Sequence, residues 1–389
     1  MDLPQVFRKD SYTCEEIEMS KVTFPHMGNL YISLKVLFDT IGIDYIMPPQ
    51  CKKTLERGII HSPEFACLPF KVTLGDFIYC MEHGADTIFF GGGCGQCRFG
   101  YYADLHAEIL RSIGYDFDLI HLDSSNMTFN ELIKKLKPLA RSKNIFTIFK
   151  GILLAGKTVF AVDRLHRLAS FVRCREVCKG ETDRVITEFY NSVQVSSGYK
   201  DTNRLITLAG RRLGDIRIDY GVRPLKIAIV GEIYTTIDPY INLEIEKRLG
   251  NMGVEADNKL TISRWVMDHG IKKVIPIGFK NKAHETGKEF MDTDDIGGHG
   301  LQTIGNCILS ARKKYDGVIQ VYPFTCMPEI VAQSTFGELQ KKYGIPVMSL
   351  VIDELTGEAG YLTRIEAFVD MLFRRRNIPG IYKAGIAEN

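Results

Sequence analysis

The sequence predicts an α/β protein: two parallel-sheet units joined by a helical segment, divided at 1–125, 126–224 and 225–389. Three observations predict it. Over residues 1–125, short apolar runs alternate with amphipathic stretches of helical period, the pattern of repeated βαβ units. Between 126 and 224 the short apolar runs disappear and helical period persists. From Leu225 the first pattern returns.

In the first unit, Lys21-Val22-Thr23-Phe24-Pro25 reads as a strand and Asn29 to Ile41 as an amphipathic helix. Ile43 to Met47 is a strand, Val72 to His83 a helix and Thr87 to Phe90 a buried strand. Ala103 to Ile113 is a helix and Phe117 to Leu122 a strand. The middle third is basic, with helices expected over Phe129–Ser142 and Lys157–Val177. In the last unit, Lys226-Ile227-Ala228-Ile229-Val230 is a strand ending at Gly231. A helix over Asn242–Met252, a strand near Val254 and a strand over Gly317–Val321 follow. The two units correspond in outline. Met27 to Leu34 parallels Ile237 to Leu243, and the strand entering Cys94 and Cys97 parallels the strand entering Cys326. Two such units facing each other would bring their cysteine loops to one interdomain cleft.

Composition excludes several classes. The chain is 45% hydrophobic and 25% charged, ordinary for a globular protein, and a net charge of +2 points to neither nucleic acid nor an anionic membrane. No apolar run approaches the roughly 20 residues that span a bilayer. Met1-Asp2-Leu3-Pro4 lacks the basic and apolar regions of a signal peptide, so a cytoplasmic location is expected. Ten cysteines without an export signal argue against a disulfide framework and leave core thiols, catalytic thiols or metal ligands.

Placement sorts the cysteines. After the strand Thr87–Phe90, glycines release the chain into Gly91-Gly92-Gly93-Cys94-Gly95-Gln96-Cys97, where Gly93 and Gly95 would let backbone amides approach an inorganic core. Cys67 lies between Pro63 and Pro69, and Cys326 between Pro323 and Pro328. Each of these four cysteines precedes a helix, whose amides can stabilise thiolate charge. Each also has the plainer reading of a small buried apolar residue. Cys80 and Cys307 fit core positions, and Cys174 and Cys178 read as an incidental pair four apart on a basic helix. Cys14 and Cys51 have no supporting pattern. A closed zinc site is disfavoured because only one Cys-x-x-Cys occurs, with no paired cluster. Three dispersed cysteines fit an iron–sulfur cubane with one iron open to another ligand. A thioredoxin-like pair at Cys94 and Cys97 is a further option.

Two nucleotide-like motifs carry less. Gly151-Ile152-Leu153-Leu154-Ala155-Gly156-Lys157-Thr158 matches the P-loop letters, with Ile145–Phe149 as a candidate preceding strand. Its variable positions are bulky and apolar, so an amphipathic helix is the better reading. Ile296-Gly297-Gly298-His299-Gly300 is a loop entering a helix, able to hold an anion or serve as a plain cap.

Phe24–Asn29, Ser62–Lys71, Gly91–Tyr102, Pro323–Glu329, Asp353–Gly360 and Thr363-Arg364 resemble the activase-related proteins of the 2-hydroxyacyl-CoA dehydratase superfamily, which are relatives of double-cubane cluster proteins. The resemblance covers most of 20–125 and 225–375. It implies two Rossmann-like domains with an iron–sulfur cluster between them, in an anaerobic setting. It implies Cys67, Cys97 and Cys326 as ligands of a [4Fe-4S] cluster; Cys94 departs from the pattern and leaves an [8Fe-9S] double cubane open. It further implies a partner ATP-dependent activase as electron donor, an acyl-CoA or other small-molecule substrate, and a homodimer. Lys71, Arg98, Glu329 and His299 are the expected substrate-side residues. Two functions stay open, a reductase-type enzyme and a non-catalytic electron carrier.

Overall fold

The computed structural model describes residues 20–92, 97–123, 128–141, 144–268 and 281–377. Within them, eight strands form two four-stranded sheets, both wholly parallel. The first contains β1 (Lys21–Thr23), β2 (Asp44–Ile46), β3 (Thr87–Gly92) and β4 (Asp118–Asp123) in the order β2-β1-β3-β4. The second contains β5 (Leu225–Gly231), β6 (Val254–Asn258), β7 (Gly317–Pro323) and β8 (Val347–Ile352) in the order β6-β5-β7-β8. The two orders are the same, so the halves share topology as well as class.

Side-chain alternation explains the layers. Ile88 and Phe90 of β3 face α3 (Leu68–Glu82) and α4 (Tyr102–Ser112), while Phe89 joins Val22 against α1 (Leu30–Ile41). In the second sheet, Ile227 and Ile229 pack towards α10 (Ile245–Asn251), with the C-terminal helix Glu358–Asn377 on the same face. Ala228 and Val230 pack towards Gly300–Arg312 and Phe336–Tyr343. Parallel strands buried on both faces read as unbroken apolar runs, which made β3 and β5 visible in the sequence.

The middle third folds as α5 (Phe129–Leu136), α6 (Ile145–Arg173), α7 (Glu181–Gln194) and α8 (Gly198–Asp215). It shares a core with the first sheet: Ile148, Val162, Leu165 and Ala169 of α6 meet Phe38, Ile41 and Phe89. Two expectations are corrected here. Ile145–Phe149 is the first part of α6 and not a strand; Asn144 opens the helix, its Oδ1 accepting from Phe146 N at 3.0 Å. α6 is also long and apolar enough, by length and composition, to cross a membrane, where no such segment was expected. Its inner face is committed to the protein core. Helix α3 begins four residues before the expected Val72, because Pro69 falls in its first turn, where a missing N–H costs nothing.

The repeat extends to paired helices ahead of each central strand. α2 (Lys52–His61) crosses α3 at Gly58 and Gly75, where an added Cβ would stand 1.7 Å from Lys71 O and 1.8 Å from Thr54 O. In the second half α12 (Lys282–Met291) crosses α13 (Gly300–Arg312) at Gly287 and Gly305, with 2.0 Å to Leu301 O and 1.7 Å to Ala283 O. Helix α3 also joins the halves, because its Leu68 and Val72 belong to the core of the second sheet while Phe70 and Leu74 belong to the first.

Burial sets an acid limit on this architecture. It lowers the imidazoles of His26, His106 and His166 from the ordinary 6.5 to about 4. Between those values the unfolded chain binds more protons than the folded one, so stability rises with pH through the window and levels off above 6.5. Urea midpoints measured from pH 7 to pH 4.5 should therefore fall continuously below 6.5. A midpoint constant from pH 7 to pH 5 would contradict the assignment.

Candidate functional site

Cys67, Cys97 and Cys326 occupy the same local position. Cys67 is the N-cap of α3, Cys97 the N-cap of the 3-10 turn Arg98–Tyr101, and Cys326 the N-cap of α14 (Met327–Ser334). None of them makes a full side-chain capping bond, but each thiol faces a first-turn amide of its own helix, that of Phe70, Phe99 or Glu329, which favours thiolate charge there. Cys97 follows β3 and Cys326 follows β7, inner strands of their sheets that stand where the strand order reverses. Ligands of open parallel sheets bind at that crevice. Cys67 and Cys326 share a further device, since Pro69 and Pro328 stand two residues after them in the first helical turn.

Backbone bonds strap the three loops together. The Arg98 guanidinium donates to Phe65 O at 3.2 Å and to Thr325 O at 2.5 Å, and Thr325 Oγ1 donates to Phe65 O at 3.2 Å. Thr325 holds φ at 69°, a left-handed conformation that is costly for a threonine and places its carbonyl for Arg98. The turn before α13 closes the other side, with a Cβ on Gly298 lying 3.1 Å from Pro328 Cγ and 3.9 Å from Cys97 Cβ. His299, the N-cap of α13, thus holds the topological place in the second half that Cys67 holds in the first.

Burial dominates the electrostatics of these thiols, as it does for the core cysteines Cys80 and Cys307. Burial pushes Cys67 up to about 12, against the hydrogen bond from Tyr102 Oη at 2.5 Å. Burial also raises Cys97 and Cys326. Glu232, the first residue after β5, raises all three; Cys97 in turn raises Cys67 and Cys326. The three thiols and this carboxylate therefore lie within one electrostatic neighbourhood. Left alone, the thiols stay protonated, and a strongly cationic core is what would convert them to thiolates.

The other expected residues have definite employment. Lys71 is buried, donating to Glu64 O at 3.1 Å and pairing with Glu354 in the turn after β8, an ion pair between the two halves. Glu329 is buried behind Cys326, accepting from Thr303 Oγ1 at 3.0 Å and Gln320 Nε2 at 2.8 Å, and burial raises its carboxyl to about 7. Arg98 serves the strap. Its replacement by alanine should leave the fold intact and, if the cleft holds iron, speed its removal by a chelator about tenfold, the usual cost of losing a ligand's support. Unchanged release kinetics would show that the strap has no such role.

Glu232, Tyr102 and Thr325 were not found from the sequence. An acid directly after a buried strand marked Glu232, and the shared Cys-x-Pro could have paired Cys67 with Cys326. Cys94, Gly93 and Gly95 lie outside the described residues, as does Cys14. Cys80 and Cys307 are core residues. Cys174 is buried at the end of α6 and Cys178 is exposed in the following turn, so the two do not form the surface pair expected. The P-loop letters lie inside α6, where Gly151 packs on Leu37 and Ile41, and no amides are free to cradle phosphate. The chain matches no protein-family model and no curated protein.

Proposed function

We propose that this protein is an iron–sulfur protein whose cluster is held between the two sheets by Cys67, Cys97 and Cys326. The observation that carries the reading is the convergence of three N-cap cysteines, from both halves, on one strapped cleft. The donor set suits a cluster better than a single ion. Among the described residues, no group of three His, Cys, Asp or Glu side chains stands close enough to hold one metal ion. The ligands of a cuboidal cluster need not meet that test, because each binds a different iron.

When bound, the cluster would take up one electron at low potential and pass it on. The chain's own residues shape the conditions. Tyr102 orients Cys67 through its hydroxyl, Arg98 and Thr325 hold the loops at fixed separation, and the Lys71–Glu354 pair keeps the halves from parting. Around the mouth, Phe65, Tyr101, Phe324, Met327 and Leu355 are all more than 60% exposed. So much apolar surface beside one cleft suits a docking protein or an acyl chain. An ATP-driven electron donor on this rim and an acyl-CoA acceptor make the reductase reading; a protein on both sides makes it a carrier.

The two are separated by mixing the chemically reduced protein with a 2-hydroxyacyl-CoA under anaerobic conditions. Conversion of the thioester supports the enzyme. Reoxidation only by protein acceptors supports the carrier.

A further inference from the structure

A cavity of about 340 Å³ opens where the helical segment, the second sheet and the start of α1 meet. That size falls at the lower end of small-ligand sites, roughly 300–1,000 Å³. None of Cys67, Cys97 and Cys326 lines it, so it is separate from the thiol cleft.

Most charges in its wall are already paired. Arg173 meets Asp183 at 2.7 Å and Lys247 meets Glu244 at 2.9 Å. Glu255 meets Arg175 at 2.6 Å and Lys226 at 3.0 Å, and Asp257 meets Lys259 at 2.6 Å. Two carboxylates remain. Asp163, only 7% exposed, accepts one bond from Ser263 N through Oδ2 at 2.8 Å. Glu246 accepts one bond from Asn258 Nδ2 through Oε1 at 3.0 Å. Neither has an ion pair among the described residues, and each keeps a second oxygen for the cavity.

The neighbouring histidine adds an acceptor. Tyr190 Oη donates to Asn29 Oδ1 at 2.5 Å, so it must accept from His166 Nε2 at 2.8 Å. That fixes the proton of His166 on Nε2 and leaves Nδ1 with a lone pair. Burial keeps this ring neutral. The wall thus presents two unpaired carboxylate oxygens and an imidazole nitrogen, and its one unpaired cation, Arg167, is exposed and gives its Nε–H to Asp163 O. An anion is disfavoured there. A metal ion would need such donors gathered around one point, and no group of three His, Cys, Asp or Glu side chains is so gathered among the described residues.

We infer that this cavity binds a small aliphatic amine, with its ammonium groups on Asp163 and Glu246. The site does not depend on the cluster, but it adjoins it through α9 (Ile233–Ile237). That helix has Glu232 at its N-cap beside the thiols and Thr236 and Ile237 in the cavity wall.

The test uses putrescine and its neutral counterpart 1,4-butanediol on the full chain, by titration calorimetry and thermal melting. Putrescine should bind and raise Tm, and the diol should do neither. Glu246→Gln retains an oxygen for Asn258 and should weaken putrescine by about tenfold or more, the loss of a charged hydrogen bond. Asp163→Asn, which keeps an oxygen for Ser263, should do likewise, so a folding defect in one variant leaves the other decisive. No heat and no Tm shift with putrescine, or equal binding by wild type and both variants, would overturn the assignment. A Tm shift with magnesium chloride and none with putrescine would overturn it too.

Discussion

Replacing Cys326 or Cys97 with serine is expected to cost the protein most of its bound iron and sulfide. In the proposed site each supplies one of three ligands, and the hydroxyl that replaces it is a harder, far more basic donor than a thiolate. Neighbouring charge sharpens the effect. Glu329 and Glu232 already oppose a negative charge at Cys326, and they would oppose an alkoxide more. The informative control is a buried thiol of the same chain. Cys307→Ser in α13 places a hydroxyl in an apolar core and should cost about 1–3 kcal/mol of stability with iron content unchanged. Iron retained in Cys326→Ser, or lost equally in Cys307→Ser, would separate the cleft from the metal.

The largest expected effect on folding is at the helix crossings. Gly75→Ala gains about 1 kcal/mol of helix propensity, yet its Cβ would stand 1.8 Å from Thr54 O. The obstructing atom is backbone, so it cannot rotate aside, and the two helices must separate. Overpacking of this kind costs about 1–3 kcal/mol and occasionally more, and the same movement disturbs both cores that α3 joins. A net destabilisation of about 2 kcal/mol is expected. Gly156→Ala supplies the contrast: it lies inside α6, with nothing within 4 Å of the added Cβ. It should stabilise by up to about 1 kcal/mol. Urea denaturation of both variants gives the two signs, and a stabilising Gly75→Ala would mean that the crossing tolerates separation.

These glycines show where sequence reasoning stops. The strands were legible because both faces of a parallel sheet are apolar, so β3, β5 and β7 stand out as short continuous runs. β8 and the helix Glu358–Asn377 were missed: β8 is only partly buried along its length, and the apolar residues of that helix are spread among many charges. That Gly58 and Gly75 touch is a tertiary fact that no local period encodes. The three cysteine loops could be nominated from their prolines and glycines, but the strap through Arg98 and Thr325 depends on carbonyls, which leave no trace in a sequence. Arg98 and Lys71 were selected as charges near cysteines. The structure shows each holding a loop or a domain, a role that the residue type alone does not distinguish from substrate binding. The P-loop letters show the converse, a motif without its fold; the helix expected there is what forms, and backbone amides inside a helix are already bonded.

The cluster itself is tested most directly by Mössbauer spectroscopy of protein purified without oxygen, with iron and acid-labile sulfide quantified on the same sample. The account predicts brown protein with iron and sulfide in equal amounts and the quadrupole doublets of a cuboidal cluster. Colourless protein carrying stoichiometric zinc, or iron without sulfide, would contradict it.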